Sequence, residues 1–116
     1  MDIEAVRLIC ISKQQVTEDM PFGDDTVVFR IGGKMFALLS LDGSNEINLK
    51  CNPEKAIEYR EKYDFVKPGY HMNKRHWNSV CFDTTIPDSL LSDMINHSYQ
   101  LVYEGLTRVV KESLGK

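Results

Sequence analysis

The chain has 116 residues, of which 42% are hydrophobic and 27% are charged, and its formal net charge is −3. This length predicts a single domain over residues 1–116 with one core, and no apolar run approaches the ~20 residues that a membrane-spanning helix needs. The negative net charge excludes a bulk electrostatic attraction to nucleic acid, so a nucleic-acid partner would have to be bound through a local field.

The N-terminal segment predicts a helix followed by a polar loop. Asp2 can cap a helix over residues 2–14, in which apolar residues recur at spacings of three and four. Residues 15–25 are polar and contain Pro21 and Gly23, which mark a turn. We expect Phe22, inside this turn, to be an anchor tucked under the loop.

The next segment predicts a three-stranded antiparallel meander. Residues 26–31 and 34–41 have the β-branched and aromatic composition of strands. The Gly32-Gly33 pair between them is a hairpin signal, because both glycines tolerate positive φ. Residues 46–50 alternate apolar and polar, so that Lys50 faces away from the core.

The second half predicts a helix, a further strand and a long final helix. Asn52-Pro53 can start a helix, Lys67-Pro68-Gly69 breaks its pattern, and residues 76–82 alternate as a strand. The last helix opens at residues 86–89, and its apolar stripe continues to Val109. The order of one helix, three strands, a helix, one or two strands and a helix predicts an α+β two-layer sandwich. Its helices are expected on one face of a mainly antiparallel sheet.

The stretch PGYHMNKRHWNSV (68–80) has an unusual composition. It holds the chain's one tryptophan, two of its three histidines and an adjacent Lys-Arg pair. Residues 67–82 contain three cations and no acid, whereas residues 18–25 contain four acids and no base. The pattern is typical of a dipolar protein with a local cationic surface.

That surface favours contacts with phosphate groups, for which cations and amide donors at fixed spacing are suited. Trp77 would stack on a base if it were exposed. The alternatives are that Trp77 fills the core, and that the cations form a solvated rim or pair with residues 18–25. The candidate nucleic-acid-binding residues are Lys34, Lys50, Lys67, Asn73, Lys74, Arg75, His76 and Trp77.

Other chemistry has weaker signals. Three widely spaced cysteines in apolar stretches indicate buried thiols, and no spacing typical of a zinc site or a catalytic nucleophile is present. We therefore expect no catalytic residue, no metal site and no cofactor. Tyr70, His71 and Tyr99 are candidates for lining a ligand cleft. The N-terminus does not have the form of a secretory signal, so the cytoplasm is the expected compartment.

A set of ordered motifs carries a family resemblance. The motifs are MPFG, FRIGGKMFALLS, INLKCNPE, YREKY, PGYHMNKRHWNSV and SYQLV, and they span nearly the whole chain. In this succession the chain resembles the MmcQ/YjbR family of small bacterial proteins. The resemblance implies a CyaY-like, or frataxin-like, sandwich and a DNA-binding role through a "double-wing" arrangement of β-hairpins, with no catalytic residues to transfer.

The expected function is accordingly a non-enzymatic binding module that binds DNA through its local basic surface. One alternative is a protein-interaction module in which the acidic 18–25 loop and the basic 67–75 turn are complementary patches. The other is a small-ligand or metal-binding domain around Tyr70, His71 and His76.

Overall fold

The computed structural model describes residues 1–69, 72–83 and 85–115. Within these residues the chain forms four helices and six strands. In chain order they are α1 (Ile3–Ile11), β1 (Val16–Asp19), β2 (Thr26–Ile31), β3 (Lys34–Ser40), β4 (Glu46–Lys50), α2 (Pro53–Lys62), β5 (Val66–Pro68), β6 (Trp77–Cys81), α3 (Asp88–Glu104) and α4 (Arg108–Ser113).

The six strands form one antiparallel sheet in the order β1-β2-β3-β4-β6-β5. Helices α1, α2 and α3 pack on one face, where the main apolar core contains side chains from both layers. We call the other side of the sheet the open face. The predicted α+β two-layer sandwich is confirmed, and the likeness to the frataxin fold stays a prediction.

The predicted meander is confirmed together with its turns. Gly32 and Gly33 have φ of 61° and 82°, which the β2–β3 hairpin requires and which glycine adopts without steric cost. A Cβ on Gly32 would also lie 2.7 Å from Leu106 Cδ1, so the turn is closed against the helical layer.

The start of α2 and the middle of α3 agree with the predictions made from the sequence. Asn52 Oδ1 accepts hydrogen bonds from the main-chain N–H groups of Glu54 and Lys55, at 3.0 and 3.3 Å, so it caps α2. Ser98 is fully buried, accepts from the N–H of Lys50 at 2.9 Å and donates to the main chain of β3. A small polar residue on α3 therefore lets helix and sheet approach closely.

The segment predicted as a loop over residues 15–25 contains a strand. α1 ends at Ile11, and β1 pairs with β2 from Val16 onwards, after Gln15 has reversed the chain at a φ of 64°. The expectation for Phe22 was also wrong, because this side chain is 62% exposed. A short polar edge strand does not show the alternation of apolar and polar residues by which strands are recognised, because neither of its faces needs to be apolar.

Two further boundaries differ from the prediction. β5 occupies part of the predicted break at Lys67-Pro68-Gly69. Proline has no main-chain N–H, and an edge strand tolerates it because the outer side of the strand has no neighbour that needs a donor. The long final helix stops at Gly105, and Thr107 caps a separate helix by accepting from the N–H of Val110. Val109 is consequently 76% exposed instead of lying on the apolar stripe.

A second, smaller apolar cluster lies on the open face. It consists of the buried residues Val28, Leu38 and Trp77, with Met35 and Met72 packed against them. In the described part of the chain, no helix has the length and apolar character that crossing a membrane demands.

Candidate nucleic-acid interface

The antiparallel order of the strands brings several predicted cations to one end of the sheet. β3 begins there at Lys34, β4 ends there at Lys50, and β6 begins there at Trp77, the cross-strand partner of Lys50. Lys74 and Arg75 lie in the turn that leads into β6, and the N–H of Cys51 donates to the carbonyl of His76. Four of the predicted cations, Lys34, Lys50, Lys74 and Arg75, thus share one end of the sheet.

The turn that presents Lys74 and Arg75 is held by its own main chain. Asn73 Oδ1 accepts from the N–H of Arg75 at 2.9 Å, and the carbonyl of Asn73 accepts from the N–H groups of His76 and Trp77. Asn73 was predicted to contact a ligand, whereas its amide oxygen is engaged in shaping the turn. The exposed side chains of Lys74 and Arg75 therefore project from a fixed backbone.

Arg60 also belongs to this group, and it was not among the cations predicted from the sequence. Its guanidinium Nη1 donates to the carbonyl of Lys74 at 3.1 Å, which brings the charge of α2 to the turn. The sequence signal was the basic last turn of α2, but a contact between residues fourteen apart depends on the tertiary fold. We define the cationic end as Lys34, Lys50, Arg60, Lys74 and Arg75.

The arginines divide into two groups by their partners. Arg7 pairs with Glu18, Arg30 with Asp19 at 3.2 Å, and Arg108 with Glu112 at 3.1 Å. In residues 1–69, 72–83 and 85–115, by contrast, no member of the cationic end forms an ion pair. The alternative in which the 18–25 acids neutralise the 67–75 cations is wrong for Glu18 and Asp19, because Arg7 and Arg30 occupy these acids.

The role suggested for Trp77 requires a correction. The side chain is only 8% exposed and packs with Val28 and Leu38 on the open face, so its ring is not available to stack on a base. The alternative prediction, that Trp77 is a core residue, is confirmed. His76 is half-buried beside it, and its part in ligand contact stays a prediction.

Lys67 lies apart from the cationic end. It is exposed on β5, where it pairs with Ser79 in the middle of β6, and it lines a groove with Asp25, Asp42 and Glu46. The five predicted cations therefore do not form one contiguous surface.

The predicted ligand cleft is only partly visible. Tyr70 and His71 lie outside the described residues. Tyr99 is on the helical layer, where its hydroxyl donates to the carbonyl of Gln14 at 2.7 Å and its ring meets Phe36 edge-on. Gly69 and Met72, which precede and follow these two residues in the chain, contact Trp77, and the Met72 contact lies on the open face.

Burial shifts the pKa values of two cysteines and of His97. Burial raises the pKa of Cys10 to about 12 and that of Cys51 to about 11. His97 Nε2 accepts from the N–H of Asn52 at 3.3 Å, and burial, followed by the charge of Lys55, lowers the pKa of His97. Among the described residues, no group of three His, Cys, Asp or Glu side chains is placed to hold a metal ion.

Comparison with known proteins places the chain in a family. The YjbR family model matches residues 11–101. The chain belongs to the YjbR family. It is 49% identical over 89 residues to the Escherichia coli O157:H7 protein YbdF, covering 76% of this chain and 73% of that one. It is also 27% identical over 101 residues to YjbR of Escherichia coli K12, covering 86% of each chain.

A solved structure agrees with this placement. A Deinococcus radiodurans protein with the domain DUF419 superposes with a TM-score of 0.90 at 34% identity, over 97% of this chain and 87% of that one. The family resemblance given by the sequence motifs is therefore confirmed. YbdF and YjbR are both named as uncharacterized proteins, so membership of the YjbR family assigns no activity.

Proposed function

We propose that this YjbR-family protein is a non-enzymatic binding protein that contacts the phosphates of DNA through its cationic end. The observation that supports this proposal most is the absence of ion-pair partners, within the described ranges, for Lys34, Lys50, Arg60, Lys74 and Arg75. Unpaired cations break no existing ion pair when they meet a phosphate, and phosphate contacts supply most of non-specific nucleic-acid affinity.

The distribution of charge supports the proposal despite a net charge of −3. The opposite end of the sheet, where β2 and β4 begin and β3 and β6 end, carries Asp25, Asp42, Glu46 and Asp83. The molecule therefore has a dipole along its strands, which would orient the cationic end toward a polyanion. Screening over about 8–10 Å at physiological salt confines this attraction to short range.

The proposal excludes two contributions expected from the sequence. Trp77 is buried, so base stacking adds nothing through this residue. Lys67 is beside three carboxylates on the open face and is not part of the cationic end. The protein is then expected to bind DNA through its phosphates, with little preference among DNA sequences.

The experiment is fluorescence anisotropy of labelled double-stranded DNA at low salt, with charge-reversed variants. Lys74→Glu/Arg75→Glu places two acids on the turn and should abolish or strongly weaken binding. The matched control, Lys62→Glu/Lys67→Glu, changes the net charge equally at exposed positions outside the cationic end and should retain most of the affinity. Equal loss in both variants, or no binding by the unmodified protein, would overturn the proposal.

We further propose that the protein has no catalytic activity of its own and works in a reducing compartment such as the cytoplasm. The three cysteines are free thiols, as is usual where disulfides do not persist. The raised pKa values of Cys10 and Cys51 keep these thiols protonated at neutral pH, so they are poor nucleophiles.

A further inference from the structure

The open face of the sheet contains a groove that extends from the acidic end of the strands toward the turn before β6. Two adjoining depressions, of about 630 and 340 Å³, share the side chains of Thr26, Ser40 and Asn48 as their floor. Both volumes are in the range of pockets that take small molecules. We call the combined depression the open-face groove.

Two loops form the walls of the groove. The loop after β1 contributes Phe22, and the turn before β6 contributes Met72. The 62% exposure of Phe22 thus has a structural context, because the ring stands beside the groove instead of under its own loop. Together with Leu38, these side chains make one half of the groove apolar.

The other half is acidic. Asp25, Asp42 and Glu46 line it, and among the described lining residues Lys67 is the one cation. In residues 1–69, 72–83 and 85–115, neither Lys67 nor any other cation forms an ion pair with these three carboxylates. Hydrogen bonds from the side chain and main chain of Ser44 lower the pKa of Asp42, so this group stays ionised at neutral pH.

The floor between the two halves has an unused acceptor. Asn48 lines both depressions, and its Oδ1 is buried with no hydrogen-bond partner in the described part of the chain. A buried acceptor without a donor is unfavourable. Because this atom is buried, an N–H group of a ligand in the groove reaches it only when the Asn48 side chain turns outward.

We propose that the open-face groove binds a small organic amine with an apolar substituent. The ammonium group is neutralised by Asp25 and Glu46 and lies near Asn48, and the apolar substituent packs between Phe22 and Met72. An organic anion is disfavoured because the lining, as far as residues 1–69, 72–83 and 85–115 supply it, holds three acids and one base. No described residue of the groove belongs to the cationic end, so a test of amine binding does not depend on DNA binding.

The test is a titration of the ¹⁵N-labelled protein with three probes of one shape, followed by NMR of the main-chain amides. Phenethylammonium carries the cation, 2-phenylethanol is neutral and phenylacetate is an anion. Phenethylammonium should shift the amides of Thr26, Ser40, Asn48 and Ser79 at concentrations up to about 10 mM, where weak ligands register. Phenylacetate and 2-phenylethanol should leave these amides in place.

Two variants show whether the carboxylates are responsible. Asp25→Asn/Glu46→Gln should weaken binding of phenethylammonium by about two- to thirtyfold, the range for loss of two partly exposed ion pairs. Glu61→Gln/Asp93→Asn removes the same charge from exposed positions on α2 and α3 and should have no effect. The single variant Asp25→Asn replaces the double variant if the latter gives an unfolded spectrum.

Three results would overturn the proposal. The first is an absence of shifts with phenethylammonium, and the second is equal binding of phenylacetate or 2-phenylethanol. The third is equal affinity in the groove variant and its control. A selective shift of the groove amides that disappears with the carboxylates supports the site.

Discussion

Gly69, in the Pro68-Gly69 pair that opens the family motif, should not tolerate even one added methyl group. The residue is buried, and its N–H donates to the carbonyl of Trp77 at 2.8 Å. A Cβ at this position would lie 2.8 Å from Trp77 Cβ and 3.0 Å from the Trp77 carbonyl oxygen. The nearest atoms are therefore backbone and Cβ atoms, which cannot swing away as the end of a flexible side chain can.

The size of the effect follows from two terms. Overpacking a closed site costs about 1–3 kcal/mol, and displacing Gly69 also lengthens one hydrogen bond, which contributes about 1 kcal/mol. Gly69→Ala should therefore reduce the free energy of unfolding by about 2–4 kcal/mol, close to a 10–20 °C fall in Tm for a chain of this size.

Thermal unfolding followed by circular dichroism measures this effect against a matched control. Gly105 is also not in the left-handed region, with a φ of −81°, but the atoms nearest its would-be Cβ are 3.6 Å away, an ordinary contact. Gly105→Ala should be neutral or stabilise by up to about 1 kcal/mol. The reasoning is refuted if Gly69→Ala melts within 2–3 °C of Gly105→Ala, a difference of under about 1 kcal/mol.

Three further predictions concern buried polar groups. Ser98→Ala should cost about 2–4 kcal/mol in urea denaturation, because it removes the partner of the buried Phe36 carbonyl and of the part-buried Lys50 N–H. A cost below about 0.5 kcal/mol would show that those groups find other partners. The lowered pKa of His97 means that the unfolded chain takes up a proton first, so stability is fully present above the ordinary histidine pKa and declines as the pH falls through it. Histidine titrates between roughly pH 7.5 and pH 5. Over this range the melting temperature should therefore fall less in His97→Gln than in the unmodified protein. Identical falls in both proteins would show that His97 does not cause the pH dependence. The thiols should react slowly with a disulfide reagent at neutral pH because burial raises the pKa of Cys10 and Cys51, and rapid labelling of either residue in the folded protein would contradict that expectation.

Local chemistry made much of the fold predictable. The Gly32-Gly33 hairpin and the Asn52-Pro53 helix start depend on a few neighbouring residues, and both are present. The alternation in β6 was assigned correctly as well, with Val80 in the main core and Trp77 on the open face. In these places the local signal and the tertiary environment agree.

Two of the secondary-structure predictions were wrong for different reasons. In one the apolar pattern was absent, and in the other it continued beyond the end of a helix. β1 is a polar edge strand, so it has no apolar face to reveal it. The apolar spacing of α3 runs on through Leu106, but Gly105 ends that helix and Thr107 starts another. Helical periodicity does not distinguish one long helix from two short ones with similar faces.

The sequence predicted which residues of the candidate interface are cationic, but it did not predict which of them lie together in the fold. The lack of acids in residues 67–82 indicated a basic turn, and Lys74 and Arg75 do project from one. A tertiary contact with Lys74 brings Arg60 to the cationic end. The pairing of β5 with β6 places Lys67 away from the other predicted cations. Trp77 lies on the face that the helices leave open, and it is buried there by Val28, Leu38 and Met72, which a strand pattern alone does not predict.

The dependence of DNA affinity on salt tests the central claim most directly, because its slope counts the phosphates that are neutralised. If each of the five members of the cationic end contacts a phosphate, log K falls against log salt with a slope of about −4.5, or about 500-fold between 50 and 200 mM salt. Lys74→Gln/Arg75→Gln should reduce the slope to about −2.7 and the loss to about 40-fold. A slope near zero, or one that the double substitution leaves unchanged, would contradict phosphate binding by the cationic end.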